Sequence, residues 1–181
     1  QALYAPGKRV VAQIAPAVRV AIGEEFGLPA GKNTIGKIFT ALRMLGFDTV
    51  FDTSFSADLT VIEEANELLY KLKNGEQKYP LGNSLPLFTS CCPAWVRFVE
   101  TKYPELLPYV STCKSPMEMF GAVLKEYYKP ADEEAGMETV SVAVMPCVAK
   151  KHEAAREEFK RNEVPDVDDV ITTKELILMI K

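Results

Sequence analysis

Phe88-Thr89-Ser90-Cys91-Cys92-Pro93-Ala94-Trp95 runs an apolar, strand-like start into two adjacent cysteines and then a proline that can open a helix. Neighbouring cysteines are too constrained to pair readily with each other. They also lack the two-residue gap of a redox Cys-x-x-Cys or of a zinc knuckle. One thiolate on a metal cluster beside a second, free thiol is the arrangement that suits them. A second turn, Val144-Met145-Pro146-Cys147-Val148-Ala149-Lys150-Lys151, repeats the plan of strand, proline, cysteine and helix start. The rest of the chain is then a way of bringing these sulfurs to one place.

The pattern along the chain says how. Lys8 to Ala15 is a β-branched apolar run ended by Pro16, and it predicts a buried strand. Ala17 to Phe26 predicts a helix closed by Gly27. Asn33-Thr34 caps a second helix, whose Ile35, Ile38, Phe39, Leu42 and Leu45 keep the 3.6 period up to Gly46. Phe47 to Phe51 predicts a strand followed by Asp52. Leu59 to Lys73 predicts a helix with Val61, Ala65, Leu68 and Leu72 as its buried stripe, widened by Ile62 and Leu69. After a polar connection from Glu76 to Pro86 come a third strand, Leu87 to Thr89, a short helix after Pro93, and a longer one opened by Ser115-Pro116. Ala131 to Glu138 predicts a solvated loop, Thr139 to Met145 the strongest strand, and Lys150 to Arg161 a charged helix. Val164-Pro165-Asp166, Val170-Ile171 and a helix from Thr173 complete the chain.

Strands alternating with helices predict an α/β fold, a mostly parallel sheet of about four strands with helices on both faces. Functional atoms in such sheets lie beyond the carboxyl ends of the strands. Ala15-Pro16, Asp52, Cys91-Cys92 and Met145-Pro146-Cys147 all fall there by the pattern.

Composition removes other classes. With 21 basic and 25 acidic residues among 181, the net charge of −4 gives nucleic acid no basic surface to bind. No apolar run is long enough for a membrane span, and no charged-then-apolar leader precedes the first strand. The four cysteines read better as reduced thiols with a metal than as two disulfides, since two of them are neighbours.

Thr89-Ser90-Cys91-Cys92-Pro93-x-Trp95 and Met145-Pro146-Cys147-x-x-Lys150 resemble the first two signature motifs of the catalytic domain of [FeFe]-hydrogenases, and the likeness runs from Ala15-Pro16-Ala17-Val18-Arg19 to Val170-Ile171-Thr172-Thr173. The family's third motif, Met-Ala-Cys-x-x-Gly-Cys, is absent. The resemblance therefore implies that residues 1–181 are one lobe of a two-lobed domain, cut at both ends. It implies an H-cluster, a [4Fe–4S] cube joined to a two-iron subsite, in the complete protein and not in this piece alone. Cys92 and Cys147 would be metal ligands, each just before a helix whose exposed N–H groups favour a thiolate. The two remaining ligands would lie in the absent motif.

Further roles follow from the resemblance. Cys91 would relay protons beside the open iron position, with Glu64, Glu67 and Ser111 continuing the route to solvent. On the helical wheel Glu64 borders the apolar stripe, whereas Glu67 alone would read as a solvated surface residue. Ala15, Pro16, Met145, Pro146 and Lys150 would line the two-iron subsite, Lys150 meeting a cyanide. Ala17 and Met117 depart from family positions that carry serine and glutamine. Cys113 and His152 receive no role: the first reads as packing, the second as a solvated residue on a charged helix.

The activity implied is reversible H2 oxidation and proton reduction, with ferredoxin or another electron carrier, H2 and protons, and the missing C-terminal half of the domain as partners, in the cytoplasm unless a periplasmic leader lies outside these residues. Two related readings remain: a sensory hydrogenase, and a non-catalytic iron–sulfur protein of the cytosolic Fe–S assembly-factor group. A thiol enzyme built on Cys91 is weaker, because the one histidine has no partner context.

Overall fold

The structure, a computed structural model, describes residues 2–74 and 85–181. Its centre is β1 (Lys8–Ile14), in which every residue from Val10 to Ile14 is buried, as a β-branched run flanked on both sides demands. β1 pairs in parallel with β2 (Thr49–Asp52), Ile14 lying opposite Asp52, and with β3 (Glu138–Met145), Ile14 lying opposite Val144.

The fourth strand differs from the expectation. Leu87–Thr89 is not in the sheet; Phe88 makes only an isolated parallel bridge to Val110, held by Phe88 N–H to Tyr109 O (2.8 Å) and Ser111 N–H to Phe88 O (2.7 Å). The free edge of β3 is filled by the strand Asp169–Thr172 (β6), which pairs in parallel with Val142–Met145. A three-residue run after Pro86 has too few amides to satisfy that edge, whereas the chain leaving β3 returns to it directly. The sheet order is β2-β1-β3-β6, parallel throughout.

Side chains alternate across this sheet. Val10, Ala12 and Ile14 meet a helical layer made of α1 (Val18–Ala21), its 3-10 continuation Ile22–Phe26, α2 (Ile35–Met44) and α7 (Thr173–Ile180), through Val18, Ile22, Ile38, Leu42 and Leu176. The predicted helix 17–26 thus tightens after its first turn before Gly27, at φ 74°, ends it. On the other face Val11 meets Phe120 and Leu124 of α5 (Pro116–Ala135). Gly121 lets the same helix pass against the 166–167 segment, because a Cβ there would sit 2.2 Å from the Asp166 carbonyl oxygen.

Three further expectations are corrected. The loop predicted at Ala131–Glu138 is mostly helix: α5 continues through Pro130 to Ala135, its Asp132 buried on the Arg9 guanidinium, and Gly136 caps it at φ 63°. The helix predicted at Lys150–Arg161 is only α6 (Ala149–Ala154), because the charged run has no apolar stripe to hold more. A 3-10 turn (Glu157–Phe159) and a hairpin of β4 (Lys160–Arg161) and β5 (Val164–Pro165) follow, with Asn162 and Glu163 at φ 50° and 65° as a two-residue hairpin turn requires.

The largest correction is α3, which runs over Ser54–Asn74 and packs on α5. Its apolar stripe faces outward: Val61 is 64% exposed and Leu72 59%, with Ile62, Ala65, Leu68 and Leu69 also exposed. The buried side is Ser56, Thr60, Glu67 and Lys71.

Candidate functional site

The sheet order fixes where a site belongs. From β1 the chain moves to β2 on one side, and from β3 it moves to β6 on the other, so the crevice beyond the carboxyl ends of β1 and β3 is the switch point of the topology. Ala15 leaves β1 there, its N–H bonded to Val144 O at 3.0 Å, and Pro16 is exposed beside it. Met145 ends β3 buried, followed by Pro146 and Cys147, both exposed. Asp52 ends the outer strand β2 and is engaged structurally, by Arg19 at 2.5 Å and the Ser54 amide at 2.9 Å. Burial works to raise its pKa, and the Ser54 bonds with the Arg19 charge outweigh it and hold the carboxyl below its ordinary value.

The double cysteine reaches this crevice by another route than a strand end. Cys92 is the N-cap of α4 (Pro93–Lys102), extended at φ −100° and ψ 108°, and its carbonyl takes the first helical amide, from Val96, at 3.0 Å. The turn is tied to the start of α6 by Lys150, whose Nζ donates to the Cys91 carbonyl oxygen at 2.8 Å and to Glu153 Oε2 at 2.6 Å. Lys150 N–H in turn bonds Cys147 O at 3.2 Å. Farther along, Arg156 bonds Glu100 of α4 and Glu158, and so holds α4 beside the segment that follows α6. The thiols of Cys91, Cys92 and Cys147 are free, and all three residues are exposed.

The residues fit an iron–sulfur group as a partial donor set. Two exposed cysteines precede helix starts on tied turns, with a mostly buried ammonium between them. Among the described residues no three His, Cys, Asp or Glu side chains converge as a complete metal site. Met145 is packed into the core, whereas Pro16, Cys91 and Cys147 are exposed. A separate open cleft of about 470 Å³ runs along Leu87, Phe88, Thr89, Cys92 and Trp95.

A polar ladder leads inward from the double cysteine. The Ser90 amide lies close enough to the Glu64 carboxylate to act on its charge, Glu64 Oε1 is buried without a hydrogen-bond partner among the described residues, and Ser90 Oγ donates to Cys113 O at 2.7 Å. Cys113 N–H donates to Ser111 Oγ at 3.1 Å, and Ser111 Oγ donates to Glu67 Oε2 at 2.6 Å. Glu67 Oε1 pairs with Lys71 at 3.0 Å. Burial raises the Glu64 pKa, the Ser90 amide opposes it, and the Glu67 charge adds to the rise. Glu67, read from the wheel as solvated, is only 4% exposed. The ladder brings Glu64, Glu67 and Ser111 together with the residue preceding Cys91.

Cys113 is half-buried, its Sγ 3.9 Å from Thr60 O, and burial with the charges of Glu64, Glu63 and Glu67 pushes its thiol up to about 11, a packing residue by its side chain. Its backbone, invisible to residue-type reasoning, is what joins the ladder. His152 is exposed, Met117 is buried and Ala17 is exposed. Sequence reasoning missed Glu153 and Ser90; the Lys150-x-x-Glu153 spacing was the available signal for the first.

Known proteins place this arrangement. Residues 8–181 match the family described as iron only hydrogenase large subunit, C-terminal domain. The chain is 50% identical to the NADP-reducing hydrogenase subunit HndD of Solidesulfovibrio fructosivorans, over 100% of this chain and 31% of that protein. It is 47% identical to iron hydrogenase 1 of Clostridium pasteurianum, over 99% of this chain and 30% of that one. The Arabidopsis thaliana protein NAR1 is 35% identical, over 97% and 39%. Among solved structures, an [FeFe]-hydrogenase studied for oxygen inactivation of its H cluster superposes with a TM-score of 0.86 at 44% identity, covering 97% of this chain and 43% of the other. An apo [FeFe]-hydrogenase HydA1 variant from Chlamydomonas reinhardtii gives 0.85 at 44% identity, covering 98% and 45%. The chain thus spans about a third of the length of the curated hydrogenase relatives named here, and it belongs to the iron-only hydrogenase large subunit family as part of the catalytic C-terminal domain.

Proposed function

We propose that this chain forms one wall of the active site of an [FeFe]-hydrogenase that reversibly oxidises H2 and reduces protons. The observation that carries the reading is the Lys150 tie between the Cys91 carbonyl and the Cys147 turn, which brings two candidate thiolate ligands and a third, free thiol to the switch point of the sheet. Cys92 and Cys147 would hold the [4Fe–4S] cube, two of its four protein ligands, and the rest of the domain would supply the others. When bound, the H-cluster would pass electrons to and from the external carrier and would supply the iron at which H2 is made or split.

The chain's own residues handle the proton. Cys91 Sγ holds and releases it, and Glu64, Ser111 and Glu67 pass it along the inner face of α3. A carboxyl whose pKa is raised by burial both accepts and gives a proton at less cost than a solvated one. Lys150 offers positive charge to anionic iron ligands. Ala15, Pro16 and Pro146 bound the space with backbone, and Met145 closes it from the core and keeps water out. The electron partner in this reading is a ferredoxin or another electron carrier, and the location is the cytoplasm unless a periplasmic leader lies outside these residues.

Cys91→Ser in the complete metal-loaded protein is the test. Serine is too weak an acid to relay at neutral pH, so H2 evolution with a reduced dye falls by about 10²-fold or more while iron content is kept. Unchanged turnover removes Cys91 from the mechanism. An intact protein that binds iron but never evolves H2 supports instead the assembly-factor reading, which the likeness to NAR1 keeps in view. The 181-residue chain alone, offering two cube ligands, is apo and inactive; robust turnover after anaerobic reconstitution overturns that.

A further inference from the structure

Glu118 lies three residues after the Ser115 cap of α5, the spacing of a capping box. Only half of the box forms. Ser115 Oγ accepts the Glu118 amide at 3.4 Å, but the carboxyl does not return. Glu118 is 0% exposed and neither carboxyl oxygen has a hydrogen-bond partner among the described residues. At the start of α7 the same spacing closes completely, with Glu175 Oε2 taking the Thr172 amide at 2.7 Å and its hydroxyl at 2.9 Å.

The charged groups facing Glu118 come from three sides: Lys150 and Glu153 on α6, Asp166 between β5 and β6, and Lys114 before α5. Burial first, then the charges of Glu153 and Asp166, lift Glu118 to about 8 against the pull of Lys114 and Lys150. Lys114 is held by the carboxylate of Asp166, itself also approached by Arg161 at 3.4 Å. Lys150 is held by the Glu153 carboxylate and also by the neutral carbonyl of Cys91, and the second of these bonds is the one open to competition. An ionised carboxylate competes with a neutral carbonyl for a shared ammonium and wins.

We propose that Glu118 is a positioning residue for Lys150: uncharged, it leaves the ammonium on the Cys91 carbonyl and Glu153; ionised, it draws the ammonium inward and loosens the tie between the two cysteine turns. Its importance for hydrogen chemistry rests on the reading that these turns face the metal. The coupling itself involves protein groups alone.

The test is NMR on the full chain, isotope-labelled at lysine side-chain nitrogens and glutamate carboxyl carbons, titrated from neutral to alkaline pH without metal. The Glu118 carboxyl and Lys150 ammonium signals shift together with a midpoint near 8, and Glu118→Gln removes that step from Lys150. The proposal is overturned if the Lys150 step persists in Glu118→Gln, if the carboxyl titrates in the ordinary range, or if it titrates while Lys150 stays unmoved. Should the variant not fold, co-titration of the two signals in the parent chain decides. No hydrogenase activity is read, so failure of the functional assignment leaves this result standing.

Discussion

Helices α2 and α3 each carry an apolar stripe and bury opposite faces. In α2 the stripe goes inward, with Ile38 and Leu42 in the core and Lys37 and Arg43 outside. In α3 the inner face is Ser56, Thr60, Glu67 and Lys71, with Phe55, Val61, Ile62, Leu68, Leu69 and Leu72 turned out. Periodicity reports that a helix has two faces; what lies across from it decides which one is buried. α2 meets Val50 and Val10, Ala12 and Ile14 of β1, which offer nothing polar. α3 meets the 111–114 segment, which offers Ser111 Oγ, the Cys113 thiol and the Lys114 carbonyl, the last 3.5 Å from Thr60 Oγ1. A polar face is buried only where such partners satisfy it.

The largest effects come from breaking the two interiors, and the comparison requires that opposite chemistry cost alike. Leu42→Ala leaves a cavity in α2's packing and loses about 2–5 kcal/mol. Glu67→Ala takes away one side of a buried ion pair and the acceptor of Ser111, a loss of about 3–5 kcal/mol. Urea unfolding monitored by circular dichroism measures both. A Glu67 variant as stable as the parent chain would mean that the inner face of α3 is wet, and the contrast would fail.

A smaller effect sharpens the contrast through pH. The Glu64 pKa is raised in the fold, so its neutral form is favoured there and its contribution is fully present below the unfolded value of about 4.5, then lost as pH rises through the folded one. Glu64→Gln therefore flattens the fall in stability from acid toward neutral pH. Because the side chain is half exposed, solvent screens the effect to below about 1 kcal/mol. The reading is a set of unfolding curves across that range; parallel curves for parent and variant would place Glu64 in ordinary solvent.

Much of the fold was legible because strand signals in this chain are local. Val10 to Ile14 and Val140 to Val144 are apolar except for Gln13 and Ser141, so burial is their ready outcome, and Pro16 and Pro146 mark their ends. The motif cysteines were legible for the same reason. The place of Cys91–Cys92 was not, since it depends on Lys150 reaching a backbone carbonyl 59 residues away in sequence. The burial of Glu67 depends on Ser111, 44 residues away, and no window along α3 contains that information. Leu87–Thr89 looked like a strand until β6 took the edge it would have needed.

The smallest effect expected is on the outward stripe of α3, and it bears most directly on the contrast. Leu72 and Leu42 are the same residue type on helices of the same kind, one 59% exposed and the other 0%. Leu72→Ala removes carbon that water already reaches, so the loss should stay within about 0.5 kcal/mol, against several for Leu42→Ala. Leu68→Gln should behave similarly, and each change makes a broad apolar surface less adhesive. Both measurements use the same urea curves with an unchanged m-value, which shows that no additional surface is exposed on unfolding. If Leu72→Ala cost as much as Leu42→Ala, the outward stripe would be packed in solution, and the inversion of α3 relative to α2 would be only apparent.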